Sequence, residues 1–119
     1  MAVTDKIVLG QKGEEIAWRF LENKGYRLLE RNVRSKVGEL DLVCRDNNWL
    51  VFVEVKTRTS TEFGRPEESV TPSKLAKLIR AAERYLLQIK ESPSWRIDVV
   101  AVDMTTNPPS LEHFQNVTL

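Results

Sequence analysis

The chain has one cysteine and one histidine in 119 residues. Cys44 therefore cannot form an internal disulfide, and no cysteine or cysteine–histidine spacing of the zinc-binding kind exists. A lone thiol suits a reducing compartment. No apolar run approaches the roughly 18 residues that a membrane helix needs, so no membrane partner is expected. Around the only short apolar stretch near the start, Ile7-Val8-Leu9, there is no charged-then-apolar leader layout. The expected location is the cytoplasm. Charge of one sign is also lacking. Eighteen Lys and Arg against seventeen Asp and Glu give +1, so any nucleic-acid footprint must be local rather than spread over the molecule. His113, the only histidine, lies in the tail and supports no Ser/His or Cys/His catalytic pairing.

What remains is the composition of a globular domain, 41% hydrophobic and 29% charged. It has no repeats and no low-complexity tract. The length suits a single domain, residues 1–119, with one core.

The first element reads as a helix from Thr4 or Asp5 to Lys24, stopped by Gly25. Strands are expected over Tyr26–Val33, Glu39–Arg45 and Trp49–Thr57, separated by turns at Ser35–Gly38 and Asp46–Asn48. Thr59–Val70, with Gly64 and Pro66, reads as a long mobile loop suited to contact with substrate or a second subunit. Thr71-Pro72 opens a second helix, an N-cap followed by proline at the first helical position, running to about Lys90. Strands over Trp95–Val102 and Leu111–Val117 complete the order α-β-β-β-α-β-β. That order predicts an α/β domain with a mixed central sheet and helices packed on it.

The third strand carries the first chemical signal. Leu50, Phe52, Glu54 and Lys56 share one face, and Val51, Val53 and Val55 share the other. Both faces are apolar, as in a covered central strand, and charges placed there require partners or an ion. Taken alone, Glu-x-Lys is equally an ion pair at a strand end. The hairpin adds a constraint. A two-residue Asn47-Asn48 turn sets Asp46 opposite Trp49, and the ladder then brings Asp41 opposite Glu54 and Glu39 opposite Lys56. Carboxylates facing each other destabilise a sheet unless something neutralises them. A hard divalent cation, Mg²⁺ or Mn²⁺, does so with oxygen ligands.

On the first helix, at roughly 100° per residue, Glu14 falls inside the apolar arc of Ile16, Ala17, Trp18, Phe20 and Leu21, and Glu15 falls outside it. Gly10 and Gly13 on the same side allow close approach to another element. The alternative is a Glu14 that reaches solvent near the helix start. On the second helix, Leu75, Leu78, Ile79, Ala82 and Leu86 form the buried stripe. Lys74, Lys77, Arg80 and Arg84 form a basic one. With Arg31, Arg34 and Lys36 this stripe is either a solvated face or a phosphate-binding surface. Cys44 alternates with Leu40 and Leu42 onto the apolar side of its strand. Trp18, Trp49 and Trp95 are expected to anchor the core, and Asp98 to have a structural role.

The motifs Gly13-Glu14-Glu15-Ile16-Ala17, Gly38-Glu39-Leu40-Asp41-Leu42-Val43, Phe52-Val53-Glu54-Val55-Lys56-Thr57-Arg58 and Val70-Thr71-Pro72-Ser73-Lys74 occur in that order. Together with Lys24-Gly25-Tyr26 and Arg96–Val102, they closely resemble the YraN-like family of small bacterial proteins over about residues 10–103. That family is similar to the restriction-endonuclease-like superfamily, including archaeal Holliday-junction resolvases. The resemblance implies a restriction-endonuclease-like fold. It also implies a metal-dependent nuclease site of Glu14, Asp41, Glu54 and Lys56, with the Val55 carbonyl as a further ligand.

The resulting expectation is Mg²⁺- or Mn²⁺-assisted hydrolysis of phosphodiester bonds, in branched DNA and in DNA rather than RNA. Arg31, Arg34, Lys36, Arg58, Lys74 and Lys77 would contact the nucleic acid, and resolvase analogy suggests a homodimer. The competing expectation is a nucleic-acid-binding or scaffolding domain with this fold and no turnover. A third is a protein-interaction module whose acidic cluster is only structural.

Overall fold

The computed structural model describes residues 3–59 and 70–118, with side chains described from Val8 onward. The long connection expected over Thr59–Val70 therefore lies almost entirely outside the described residues. The elements are α1 (Val3–Asn23), β1 (Arg27–Ser35), β2 (Gly38–Asp46), β3 (Trp49–Arg58), α2 (Pro72–Ile89), β4 (Ser94–Asp103) and β5 (Ser110–Phe114).

The helix ends follow their sequence signals. At the end of α1 the Tyr26 N–H donates to the Leu21 carbonyl (3.0 Å) and the Gly25 N–H to that of Glu22 (2.9 Å). Gly25 is left-handed at φ 95°. This Schellman arrangement needs a residue that bears no Cβ penalty there. Thr71 caps α2, its Oγ1 accepting from the Lys74 N–H at 3.2 Å, with Pro72 at the first helical position.

The five strands form one mixed sheet in the order β1-β2-β3-β4-β5. The first three pair antiparallel, β3 and β4 run parallel, and β5 returns antiparallel to β4. A parallel pair needs a crossover, which α2 supplies. One face of the sheet packs on α1 through Ala17, Trp18 and Leu21 against Leu42, Cys44, Val51, Val53, Val100 and Val102. The other face packs on α2 through Leu78, Ala81, Ala82 and Tyr85 against Leu40, Val43, Leu50, Phe52 and Ile97. The strand β3 is thus covered on both sides, and its two stripes divide between the layers as the alternation predicts.

Three expectations need correction. Leu40 packs in the α2 layer, not with Leu42 and Cys44 in the α1 layer. Asp41 lies between Leu40 and Leu42, and the residue across from it is Asn32, which falls between the pairs Arg31–Leu42 and Val33–Leu40. Asn32 has φ 51°. A left-handed residue in an extended strand re-aims the side chains around it, as a bulge does, and the alternation changes sides there. Trp49 is 40% exposed. It opens β3 just beyond the hairpin turn, outside both layers, with the Arg96 guanidinium 5.7 Å from its ring centre. A Cβ built on Gly13 would collide with the Thr57 side chain, but one on Gly10 would meet nothing within 4 Å, so only Gly13 is needed for close approach.

Candidate functional site

The β2–β3 ladder runs from Asp46–Trp49 to Leu42–Val53. One step further along, the Val55 backbone N–H donates to the Asp41 Oδ2 at 2.8 Å. Asp41 is therefore held at the seam between the two strands. Glu54 is 16% exposed and its Oε1 lies 3.3 Å from the Lys56 Nζ. Both side chains extend the Leu50–Phe52 stripe on the α2 side of β3.

Glu14 reaches this end of the sheet from α1, and Asn32 links it to Glu39. In the amide orientation that satisfies both partners, the Asn32 NH₂ donates to Glu14 Oε1 (3.0 Å) and Glu39 Oε1 (3.1 Å). The neighbouring Glu15 points elsewhere. It accepts from Arg19 (3.0 Å) and Arg31 (2.7 Å) at the surface, and its bond to Arg31 holds its carboxyl below the usual range.

These acids perturb one another. Burial, followed by the charges of Glu54, Glu14 and Glu39, raises Asp41 to about 7 against the pull of the Val55 N–H. Burial also raises Glu54, opposed by Lys56 and Lys74. Glu14 is raised by burial and by Glu39 and Glu54, opposed by the Asn32 bond and Arg31. Carboxylates whose charge is disfavoured by burial and by each other form an environment that a cation would relieve.

Beside the acids a pocket of about 180 Å³ opens between the sheet and α2, lined by Glu39, Glu54, Lys56, Lys74 and Lys77 over Leu78. Lys74 and Lys77, one helical turn apart on α2, thus border the carboxylates. The other basic residues expected at a nucleic-acid surface are placed differently. Arg31 is bound to Glu15, Arg34 is 80% exposed and lies 3.8 Å from Glu39, and Lys36 is exposed in the β1–β2 turn. Arg58, at the end of β3, acts electrostatically on Asp103.

The donor chemistry suits a hard divalent ion: carboxylate oxygens of Asp41, Glu54 and Glu14. The bonds to Val55, Lys56 and Asn32 engage one oxygen each of Asp41, Glu54 and Glu14. Among the described residues, no three His, Cys, Asp or Glu side chains are gathered closely enough to hold one ion. A site of this kind would rely on two carboxylates with a carbonyl and water, as Mg²⁺ commonly does.

Asn32 and Glu39 were not among the residues singled out from the sequence as site members. Asn32 carried a signal, because asparagine is depleted in strand interiors and tolerates left-handed φ. The sequence sets Glu39 opposite Lys56, but the β2–β3 ladder stops at Leu42–Val53, short of that pair.

On the α1 face, beside Val53 in the middle of β3, a second polar group is fully enclosed. Asp98 is 0% exposed. It accepts from Arg96 Nε (3.0 Å), the Asn116 N–H (3.0 Å) and the Tyr26 hydroxyl (3.3 Å), and its Oδ2 lies 2.8 Å from His113 Nε2. Arg96 also donates to Tyr26 (2.7 Å) and Asp46 (3.0 Å). Burial raises the Asp98 carboxyl, but the bonds from His113, Asn116 and Arg96 outweigh it and hold the group below its usual value. The structural role expected of Asp98 has these partners. His113 is more than a tail residue: its side chain is 2% exposed, and the other ring nitrogen lies 2.9 Å from Lys24 Nζ. Nearby Cys44 is pushed up to about 12 by burial and by Asp98, so it is an inert core thiol.

The model of the Uncharacterised protein family UPF0102 matches residues 13–102, a span holding both the acidic site and the β4 half of the buried network. The chain belongs to the UPF0102 (YraN) family. It is 47% identical to a UPF0102 protein of Syntrophomonas wolfei over 91% of its own length and 95% of the relative's. A UPF0102 protein of Beutenbergia cavernae is 49% identical over 94% and 97%, and one of Thermodesulfovibrio yellowstonii is 40% identical over 93% and 96%. The similarity to UPF0102 proteins thus runs nearly end to end. No helix among the described residues is long and apolar enough to cross a membrane.

Proposed function

We propose that this UPF0102 protein is a metal-dependent nuclease of restriction-endonuclease-like fold that hydrolyses phosphodiester bonds, with branched DNA as the preferred substrate over RNA. The observation that carries the reading is the juxtaposition at one end of the sheet. Asp41 and Glu54, both raised by burial and by neighbouring acids, stand beside a pocket that also holds Lys56, Lys74 and Lys77.

Mg²⁺ or Mn²⁺, when bound, supplies charge neutralisation and Lewis acidity. Asp41, Glu54 and the Val55 carbonyl would hold it, with Glu14 assisting. Lys56, kept beside Glu54 at 3.3 Å, would orient the attacking water or stabilise charge developing on the phosphate. Lys74 and Lys77 on the same side would receive the flanking backbone phosphates.

A second reading, a nucleic-acid-binding domain without turnover, is favoured by one observation: no three acidic side chains converge on a point among the described residues. Thermal denaturation with increasing Mn²⁺ separates the two, comparing wild type with Asp41→Asn and Glu54→Gln. A metal-dependent rise in wild type, lost in both variants, supports one shared ion site, and cleavage of branched and flapped DNA then tests turnover. Binding without a rise or cleavage would overturn the nuclease reading in favour of the second. A nuclease whose cleavage survives loss of Asp41, Glu54 or Lys56 would overturn the residue roles.

A further inference from the structure

Asn32 combines two features that strands rarely carry. Its backbone is left-handed, at φ 51° inside β1, and its amide faces two carboxylates from different elements, Glu14 of α1 and Glu39 of β2. Both acids act on Asp41 electrostatically. A carboxamide is well suited to this position, since its two N–H donors can bond two acceptors at once without adding charge. An aspartate of the same shape would instead bring a third negative group.

The backbone geometry and the amide contacts depend on each other. With its backbone left-handed, Asn32 meets Glu14 and Glu39 through its amide, and across the strand pair Asp41 is the residue where the alternation of β2 changes sides. We propose that Asn32 is a positioning residue of the acidic site, its amide bridging Glu14 to Glu39 and so prearranging the carboxylates around Asp41 and Glu54 for a divalent ion. This rests on the ion-site reading above and adds a residue to it. Partners that orient metal ligands typically contribute 10–100-fold to affinity, to order of magnitude.

Two substitutions divide the backbone role from the amide role. Asn32→Gly keeps the left-handed conformation and removes the amide. Asn32→Asp keeps the shape and much of the conformational tolerance but replaces the donor with a charge. The full chain is titrated with Mn²⁺, following free ion by electron paramagnetic resonance, and melting temperatures are measured with and without Mn²⁺. Asn32→Gly is expected to weaken Mn²⁺ binding by roughly 10–100-fold and to shrink the Mn²⁺-induced gain in melting temperature. Asn32→Asp is expected to lower the metal-free melting temperature by several degrees, because three carboxylates then converge.

A backbone-only role predicts otherwise: unchanged Mn²⁺ affinity in Asn32→Gly, equal melting shifts with and without the ion, and an Asn32→Asp variant as stable as wild type. That pattern overturns the proposal and leaves the ion site standing. If wild type itself binds no Mn²⁺, the ion-site reading fails and the prearrangement proposal with it. The metal-free Asn32→Asp result still reports separately whether the amide bridge exists.

Discussion

The Val55 backbone N–H donates to the Asp41 carboxylate at 2.8 Å, so the acid on β2 is held by the main chain of β3. This bond fixes Asp41 one step beyond the last ladder pair, Leu42–Val53. It also couples the position of the acid to the strand that carries Glu54 and Lys56. The consequence is a site whose geometry belongs to the sheet rather than to a flexible side chain.

Two substitutions at Asp41 should move metal-free stability in opposite directions. Asp41→Asn retains an oxygen to accept from Val55 and removes a charge that burial and Glu54 disfavour. Its melting temperature in chelator is expected to exceed that of wild type. Asp41→Ala leaves the Val55 N–H without its acceptor and should cost about 1–3 kcal/mol. Denaturant titration in chelator checks both, and an Asp41→Asn variant less stable than wild type would contradict the account of a disfavoured charge.

The enclosed Asp98 network gives the pH prediction. Asp98 is held below its usual value in the folded protein and titrates near 3.9 when unfolded. Its contribution is therefore fully present above the unfolded value and lost as pH falls through the folded one. Acid unfolding should steepen below about pH 4 in wild type. Asp98→Ala leaves the buried Arg96 with fewer partners and should cost about 3–5 kcal/mol at pH 7. It should also flatten the acid limb, as read by circular dichroism from pH 7 to 2.

Helix α1 approaches β3 through Gly13, where a side chain would meet Thr57. Gly13→Ala is expected to destabilise the fold by about 1–3 kcal/mol through overpacking. The double variant with Thr57→Ala should recover part of that loss. A double-mutant cycle with no coupling energy would show that the helix tolerates the displacement.

If the nucleic acid is received on the α2 side, the lysines of the pocket matter more than the arginine already bound to Glu15. Lys74→Ala and Lys77→Ala should each lower the salt dependence of DNA binding by about one unit of log–log slope, uniformly across sequences. Arg31→Ala should change the slope less, because Arg31 is engaged at 2.7 Å by Glu15. Fluorescence anisotropy in chelator at several salt concentrations measures this without requiring cleavage. Equal loss of slope from all three substitutions would place the DNA across both faces.

Much of the frame was legible because its signals are local. Gly25 after an amphipathic run, Thr71-Pro72 before one, and Asn47-Asn48 between two β-branched stretches each specify backbone conformation within a few residues. The hairpin fixed its own register through the Asp46–Trp49 pair, but the ladder ends at Leu42–Val53, short of the expected pairs Asp41–Glu54 and Glu39–Lys56, and Asp41 instead accepts from the Val55 N–H. Glu14 rather than Glu15 was legible from helical angle alone. Trp49 was misread because its hydrophobicity said core and only its place just past the turn said otherwise. The burial of His113 was not legible, because a histidine near a chain end is enclosed only once β5 is laid beside β4.

The amino-acid order by itself determined the elements, the faces of β3 and of the two helices, and the two ends of the strand that bears Glu54 and Lys56. Short-range sterics, capping and side-chain periodicity act over one or two turns and need no partner to be read. Tertiary structure decided the rest. It brought Asn32 between Glu14 and Glu39, moved Leu40 to the α2 layer, set Lys74 and Lys77 beside the acids, and enclosed Asp98 with Arg96, Tyr26 and His113. These relations join residues far apart in the chain. They exist because burial of two apolar faces forces distant polar groups into one space, where each must find a partner.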